Sequence, residues 1–197
     1  IAMLVLSLPC IFGMNLLSGI QPLGAGSDII VPESIDGYTV TEIADYAFIA
    51  QWTERGFRAC NTSVIGREQI TSITLPATVN EIGAYAFAFN KALKTVNIPE
   101  RITVIPYGAF ADAEALESIS IPSVTKILPL AFCFCISLTN VESGNVKEIG
   151  SLAFDSSALT SFNFSDGLEK IGHYAFADCK NLQTAMLPDS LTQLGMG

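Results

Sequence analysis

Few residues in this chain have the type and spacing to carry chemistry. Cys133 and Cys135 form a C-x-C pair, two thiols close enough in sequence to raise the question of a zinc site. A tetrahedral set needs two further thiolates or imidazoles nearby. The sequence offers five cysteines and one histidine in all, with no second pair, so no metal set closes. His173 has no fixed serine or cysteine partner and stands at a variable position, where comparable stretches carry Ala84, Tyr107, Pro129 or Ser151. No nucleophile elbow, phosphate loop or dinucleotide fingerprint occurs. Carboxylates are spread singly, which leaves no pair for acid–base hydrolysis. The expectation is a protein without catalysis, metal or cofactor.

One stretch has the composition of a recognition surface. Trp52, the single tryptophan, lies beside Arg55, Phe57 and Arg58, and with Arg67 the stretch holds three of the four arginines of the chain. Tryptophan and arginine dominate interface energies. The rest of the chain is acidic: nineteen Asp+Glu against ten Lys+Arg give a net charge of -9. That balance argues against nucleic acid as a partner. Half of the residues are apolar, 15% are charged and mean hydropathy is +0.45, which excludes global disorder. Asn61-Thr62-Ser63 and Asn163-Phe164-Ser165 fit the glycosylation sequon, a pattern short enough to arise by chance.

Residues 1–27 carry no charge. Ile1–Phe12 has the length of a secretory apolar core and is followed by Leu-Gly-Ala-Gly-Ser at 23–27, although no basic segment precedes it. Three readings stand open: a leader, a buried N-terminal cap, or a segment attaching the chain to a membrane. Residues 28–197 form the second unit.

What must position all of these residues is an internal repeat. Ala-Phe recurs at Ala47-Phe48, Ala86-Phe87, Ala109-Phe110, Ala131-Phe132, Ala153-Phe154 and Ala175-Phe176, with Phe spacings of 39, 23, 22, 22 and 22. The long first interval places an insertion near 49–69, around Trp52. One well-formed copy reads Ile70-Thr-Ser-Ile73-Thr-Leu75-Pro76, then Val79-Asn-Glu-Ile82-Gly83, then Tyr85-Ala86-Phe87. Its first part alternates apolar and polar residues and ends at proline, which predicts a short strand. The V-x-x-I step predicts a second extended piece or a turn. The Ala-Phe step is too short for a full helix and predicts a helical turn or tight loop with Phe as its buried plug. No piece can bury its apolar side alone, and stacked copies can.

This pattern resembles the BspA-type leucine-rich repeat, with unit L-x-x-I-x-I-P-x-x-V-x-x-I-G-x-x-A-F-x-x-C, from about Ile29 to Gly197. Cys135 and Cys179 occupy the cysteine position, and Ile35-Asp36-Gly37-Tyr38-Thr39-Val40 matches an extension found in first copies. Glu142-Ser143-Gly144 and Ser165-Asp166 depart from it. The resemblance implies a curved solenoid of 22–23-residue units, α/β leaning to β, with a parallel sheet on one face. It also implies a secreted or surface protein acting in adhesion or protein recognition. A ligandless spacer and an intracellular scaffold are the alternatives.

Stacking strands at about 4.8 Å aligns the outward positions into columns. These are Ser72 and Thr74, Thr95 and Asn97, Ser118 and Ser120, Asn140 and Glu142, Ser161 and Asn163, Thr184 and Met186. Thr74, Asn97, Ser120 and Asn163 on that face, together with Trp52, Arg55, Phe57 and Arg58, are the candidate contacts for a protein or a glycan. The same face is also what an ordinary solvated sheet would show. Cys135 and Cys179 fall two repeats apart, about 9–10 Å, beyond disulfide reach, and read as buried thiols. The last copy stops at Leu194-Gly195-Met196-Gly197 without a polar cap, which points to an apolar end able to pair with another chain.

Overall fold

The computed structural model describes residues 4–6, 28–48 and 70–197. The insertion with Trp52, Arg55, Phe57 and Arg58, most of the apolar N-terminal stretch, Cys10 and Cys60 lie outside the described residues. Among those described there is no helix, so the lean towards β is complete. The chain winds through stacked coils, each with three sides.

The strands are β1 (Leu4–Leu6), β2 (Asp28–Ile30), β3 (Ser34–Ile35), β4 (Tyr38–Ile43), β5 (Ser72–Thr74), β6 (Glu81–Ile82) and β7 (Thr95–Val96). They continue as β8 (Val104–Ile105), β9 (Ser118–Ile121), β10 (Lys126–Ile127), β11 (Asn140–Ser143), β12 (Glu148–Ile149), β13 (Lys170–Ile171) and β14 (Gln193–Leu194). The I-x-I segments form the first side, where β2, β5 and β7 pair in parallel, as do β9 and β11. The V-x-x-I segments form the second side. There β8, β10, β12, β13 and β14 make one parallel ribbon, and β4 pairs with β1 and β6. The first side is thus the expected parallel sheet, and the V-x-x-I side, expected as a second extended piece or a turn, is a second and more regular ribbon. Partners such as Lys126 and Glu148, or Ser72 and Thr95, stand 22 or 23 residues apart, which is the repeat length seen in the sequence.

Strands stay at two to four residues in the later coils because corners interrupt them. The Pro76 carbonyl accepts the Val79 N–H at 3.1 Å and that of Pro99 accepts Ile102 at 2.9 Å, so the proline that ends one side opens the turn into the next. At the following corner Gly172 lies against the preceding coil: a Cβ there would stand 2.4 Å from the Ser151 nitrogen. Space, not a special φ, requires that glycine. The first coil differs by a two-residue hairpin between β3 and β4 at Asp36-Gly37, with φ of 52° and 81°. Asp-Gly suits that primed turn, and it explains the Ile35-to-Val40 extension.

The third side is built from Ala-Phe. A left-handed residue precedes the pair in each coil (Tyr46, Tyr85, Gly108, Leu130, Leu152 and Tyr174), and another follows two residues after Phe (Phe89, Asp112, Phe134, Ser156 and Asp178). Their φ values run from 51° to 62°. Such a conformation costs a non-glycine residue about 1–2 kcal/mol. It aims alternate N–H groups along the stack: Tyr85, Phe87 and Phe89 donate to the carbonyls of Tyr107, Ala109 and Ala111 at 2.8–2.9 Å. The intervening Ala86 and Ala88 donate within their own coil. Inside, the rings of Phe48, Phe87, Phe110, Phe132, Phe154 and Phe176 stack at 5.1–5.6 Å, tilted by 3–16°. The Phe plug expected from sequence is thus a continuous aromatic ladder. In the sixth copy Phe162 and Phe164 replace aliphatic residues and turn edge-on to Phe176 at 64° and 69°. Residues 161–164 form no strand, since rings of this size do not fit a ladder spaced for isoleucine and valine.

Three residues after each Phe lies a column of small or polar side chains. The Asn90 amide donates to the Phe48 and Phe87 carbonyls at 2.7 and 2.8 Å. The Cys135 and Cys179 thiols donate to Phe110 and Phe154, each at 3.1 Å. Ser157 stands between those cysteines, 3.2 Å from the Cys179 sulfur, so they remain free thiols. At Ala113 the column has no polar atom, and the buried Oδ1 of neighbouring Asn90 is left without a partner.

Two stability measurements follow from this packing. Phe132→Ala removes a fully buried ring from the middle of the ladder and is expected to cost about 3–5 kcal/mol in urea unfolding. Ala113→Ser supplies a donor beside Asn90 and is expected to gain about 1 kcal/mol, read as a raised melting temperature.

Candidate recognition surface

The first side presents its outward residues in register. Asp28, Ser72 and Thr95 align, as do Ser118 with Asn140 and Ser120 with Glu142. Thr74, Asn97, Ser120 and Asn163 are all exposed. They are not equivalent. Asn97 accepts the Leu75 N–H on Oδ1 at 2.7 Å and donates from Nδ2 to the Leu75 carbonyl at 2.9 Å, which commits both ends of its amide to the preceding coil. The side chains of Thr74, Ser120 and Asn163 make no hydrogen bond among the described residues. Asn163 accepts the Ser143 hydroxyl only through its backbone carbonyl, at 3.5 Å. At the upper end Asp28 accepts Ser72 and Thr71 at 2.6 and 2.9 Å, and those bonds hold its carboxyl below the usual range. Glu142 is the charged member of the Thr74–Asn97–Ser120 column, so a surface mostly of hydroxyls and amides carries a negative point near its middle as well as Asp28 at its upper end.

The second side is a face that sequence reasoning passed over. Its outward column runs Glu42, Glu81, Val104, Lys126, Glu148, Lys170 and Gln193. Lys126 pairs with Glu148 at 2.8 Å and, through that hydrogen bond, holds its carboxyl below the ordinary value. Glu42 has no such partner. Partial burial pushes its carboxyl up, and repulsion from Glu81 and Asp45 adds to the shift. The polar residue before most of the V-x-x-I isoleucines, Val104 being the exception, was the available signal for this face.

The third side holds the thiols and tyrosines. Burial, with help from Asp155 and Asp112, pushes the Cys133 thiol up to about 12, and burial also raises Cys135 and Cys179. Protonated thiols of this kind are poor nucleophiles. His173 is exposed and braces neighbouring coils, its Nδ1 accepting the Met196 N–H at 3.0 Å and its own N–H donating to Ser151 Oγ at 3.2 Å. Among the described residues no cluster of three or more His, Cys, Asp or Glu side chains is arranged to hold a metal, and no helix is long and apolar enough to cross a membrane.

The last coil leaves core residues open. Phe164, Ile171, Phe176, Leu182, Leu187 and Leu194 line a hollow of about 160 Å³, and Met186 and Leu194 are 86% and 63% exposed.

Comparison with known proteins places this architecture. Solved structures of similar fold include a leucine-rich cell surface protein from Faecalibacterium prausnitzii, 26% identical, with a TM-score of 0.57 over 82% of this chain and 47% of that one. A leucine-rich repeat protein from Eubacterium ventriosum is 18% identical with a TM-score of 0.64, over 82% of this chain and 45% of that one. The pneumococcal vaccine antigen PcpA is 24% identical with a TM-score of 0.61, over 78% of this chain and 38% of that one. The chain therefore spans less than half the length of each. No curated protein matches it. The family suggests a protein-interaction module. A family model for the BspA type leucine rich repeat region matches six copies over residues 61–183, and the chain belongs to that family.

Proposed function

We propose that this chain is a non-catalytic recognition module of a secreted or surface-attached protein. It binds a protein or a glycan through the first side and the 49–69 insertion. The observation that carries the reading is the contrast within the first side. Asn97 is committed to the fold, whereas Thr74 and Ser120 on parallel strands, and Asn163 in the strandless 161–164 stretch, present unengaged hydroxyl and amide groups. Such groups hydrogen-bond equally to a peptide backbone or to sugar hydroxyls. Trp52, Arg55, Phe57 and Arg58 supply the aromatic and guanidinium anchors that the sheet face lacks. In this reading Asn97 positions its neighbours and makes no contact of its own.

Purified chain is tested against a panel of matrix proteins and glycans, beside Ser120→Arg and a deletion of residues 50–69. Capture by the intact chain that drops at least tenfold in Ser120→Arg, with an unchanged circular dichroism spectrum, is the expected result. Loss in the deletion alone would assign recognition to the insertion. No capture by any of the three folded proteins would leave the array as a spacer.

A further inference from the structure

The two ends of the array are closed to different degrees. Val40 and Ile43, the V and I of the first V-x-x-I step, are both 0% exposed. In the last coil Leu191 and Leu194 hold the same positions, and Leu194 is 63% exposed. Among the described residues each of these coils has one neighbouring coil, that of β6 for the first and that of β13 for the last. One neighbour leaves Leu194 open, so the burial of Ile43 requires a cover on its other side. The β3 hairpin pairs with β4 only at Tyr38 and Thr39, which leaves the edge from Val40 to Ile43 to another segment.

That segment is β1. Leu4 and Leu6 stand opposite Val40 and Ile43 in a parallel pair, and Val5 stands opposite Glu42, with one irregularity in register that passes over Thr41. β4 thus has β6 on one edge and β1 on the other, the arrangement of an interior strand. The count along the chain agrees. Twenty-one residues lie between Leu6 and Asp28, against twelve between Ile105 and Ser118 and twenty-eight between Ile43 and Ser72. β1 therefore stands where a preceding coil would place its V-x-x-I segment. The absence of charge in residues 1–27 suits this place as well as it suits a leader or a membrane, and the pairing with β4 favours the cap.

We infer that Leu4–Leu6 is the capping strand of the array, a strap that belongs to the folded protein and closes the edge of β4 against a strand from a second copy or a partner. Without it, the unpaired N–H and C=O groups of Val40–Ile43 would lie beside two apolar side chains that are now fully buried. An open strand edge of that kind invites the addition of another strand. A strap of three residues fills the edge without offering a long one of its own. In this arrangement the segment is not free to enter a membrane while the first coil is folded. The inference rests on pairing and burial, and it stands whether or not the first side binds a ligand.

The test is hydrogen exchange on the full chain, read over residues 40–43 and over the distant strand Glu148–Ile149. Val5→Pro and Leu6→Pro are compared with Val5→Ile. Proline removes a backbone donor, and successive residues of a strand send their N–H groups to opposite edges, so one of the two prolines removes a donor facing β4. That variant should exchange at 40–43 about two- to tenfold faster, the worth of one strand hydrogen bond, with Glu148–Ile149 unchanged. The other proline faces the open edge and should act more weakly. Val5→Ile keeps the donor and an apolar β-branched side chain, and should match the parent. Exchange at 40–43 equal to the parent in both proline variants would overturn the inference. So would an equal acceleration at Glu148–Ile149, because a cap acts on the coil it covers. An intact mass of the natural protein that lacks residues 1–27 would overturn it as well.

Discussion

The rise from one coil to the next governs everything else in this molecule. Parallel strands settle about 4.8 Å apart, and the phenylalanine rings on the third side stack at 5.1–5.6 Å. Near-parallel rings, one per coil, repeat at almost that rise. Because the ladder and the two strand ribbons must share one period, a change on any side is felt by the other two. Phe162 and Phe164 show it: two extra rings packed edge-on against the ladder accompany the loss of strand at 161–164. The left-handed residues serve the same requirement. They impose a conformational cost on tyrosine, leucine and phenylalanine in order to turn three N–H groups of each coil onto the next.

With the interior so constrained, difference between coils is pushed outward, and the three sides differ in how much they allow. The first side holds hydroxyls and amides, some committed to the preceding coil, as Asn97 is. The second mixes signs of charge in its lower coils and gathers like charges at its top. The third admits tyrosine, leucine, proline or serine at equivalent places without altering its hydrogen bonds. A partner would meet a rigid frame whose surface varies along its length.

Much of this was legible in the sequence because repetition averages out local ambiguity. A single Ala-Phe means little, but six, the last five at spacings of 22 or 23, fixed the unit length, the buried ring and the stacking. The V-x-x-I side was harder. A two-residue strand has no alternation to detect, and its existence depends on neighbours 22 residues away. The hairpin at Asp36-Gly37 was visible as letters, though its meaning lay in a turn type. Nor could the sequence separate Asn97 from Thr74: both occupy outward positions, and only the bonds to Leu75 distinguish a brace from a free surface group. The tyrosine row of the third side escaped for a similar reason, since Tyr107 is offset by one residue from Tyr46 and Tyr85 and joins them only when the coils are stacked.

Bonds that run only between successive coils also give the array a definite mechanical character. A pull applied to the two ends need not break every contact at once. It can open the end coil, whose rows of hydrogen bonds reach one neighbour, while the remainder stays intact. A freed coil of 22 residues extends to about 70–80 Å where it had occupied roughly 5 Å of the stack. Under load, such an array lengthens in discrete steps, and each step dissipates work while leaving the exposed sides of the other coils in place.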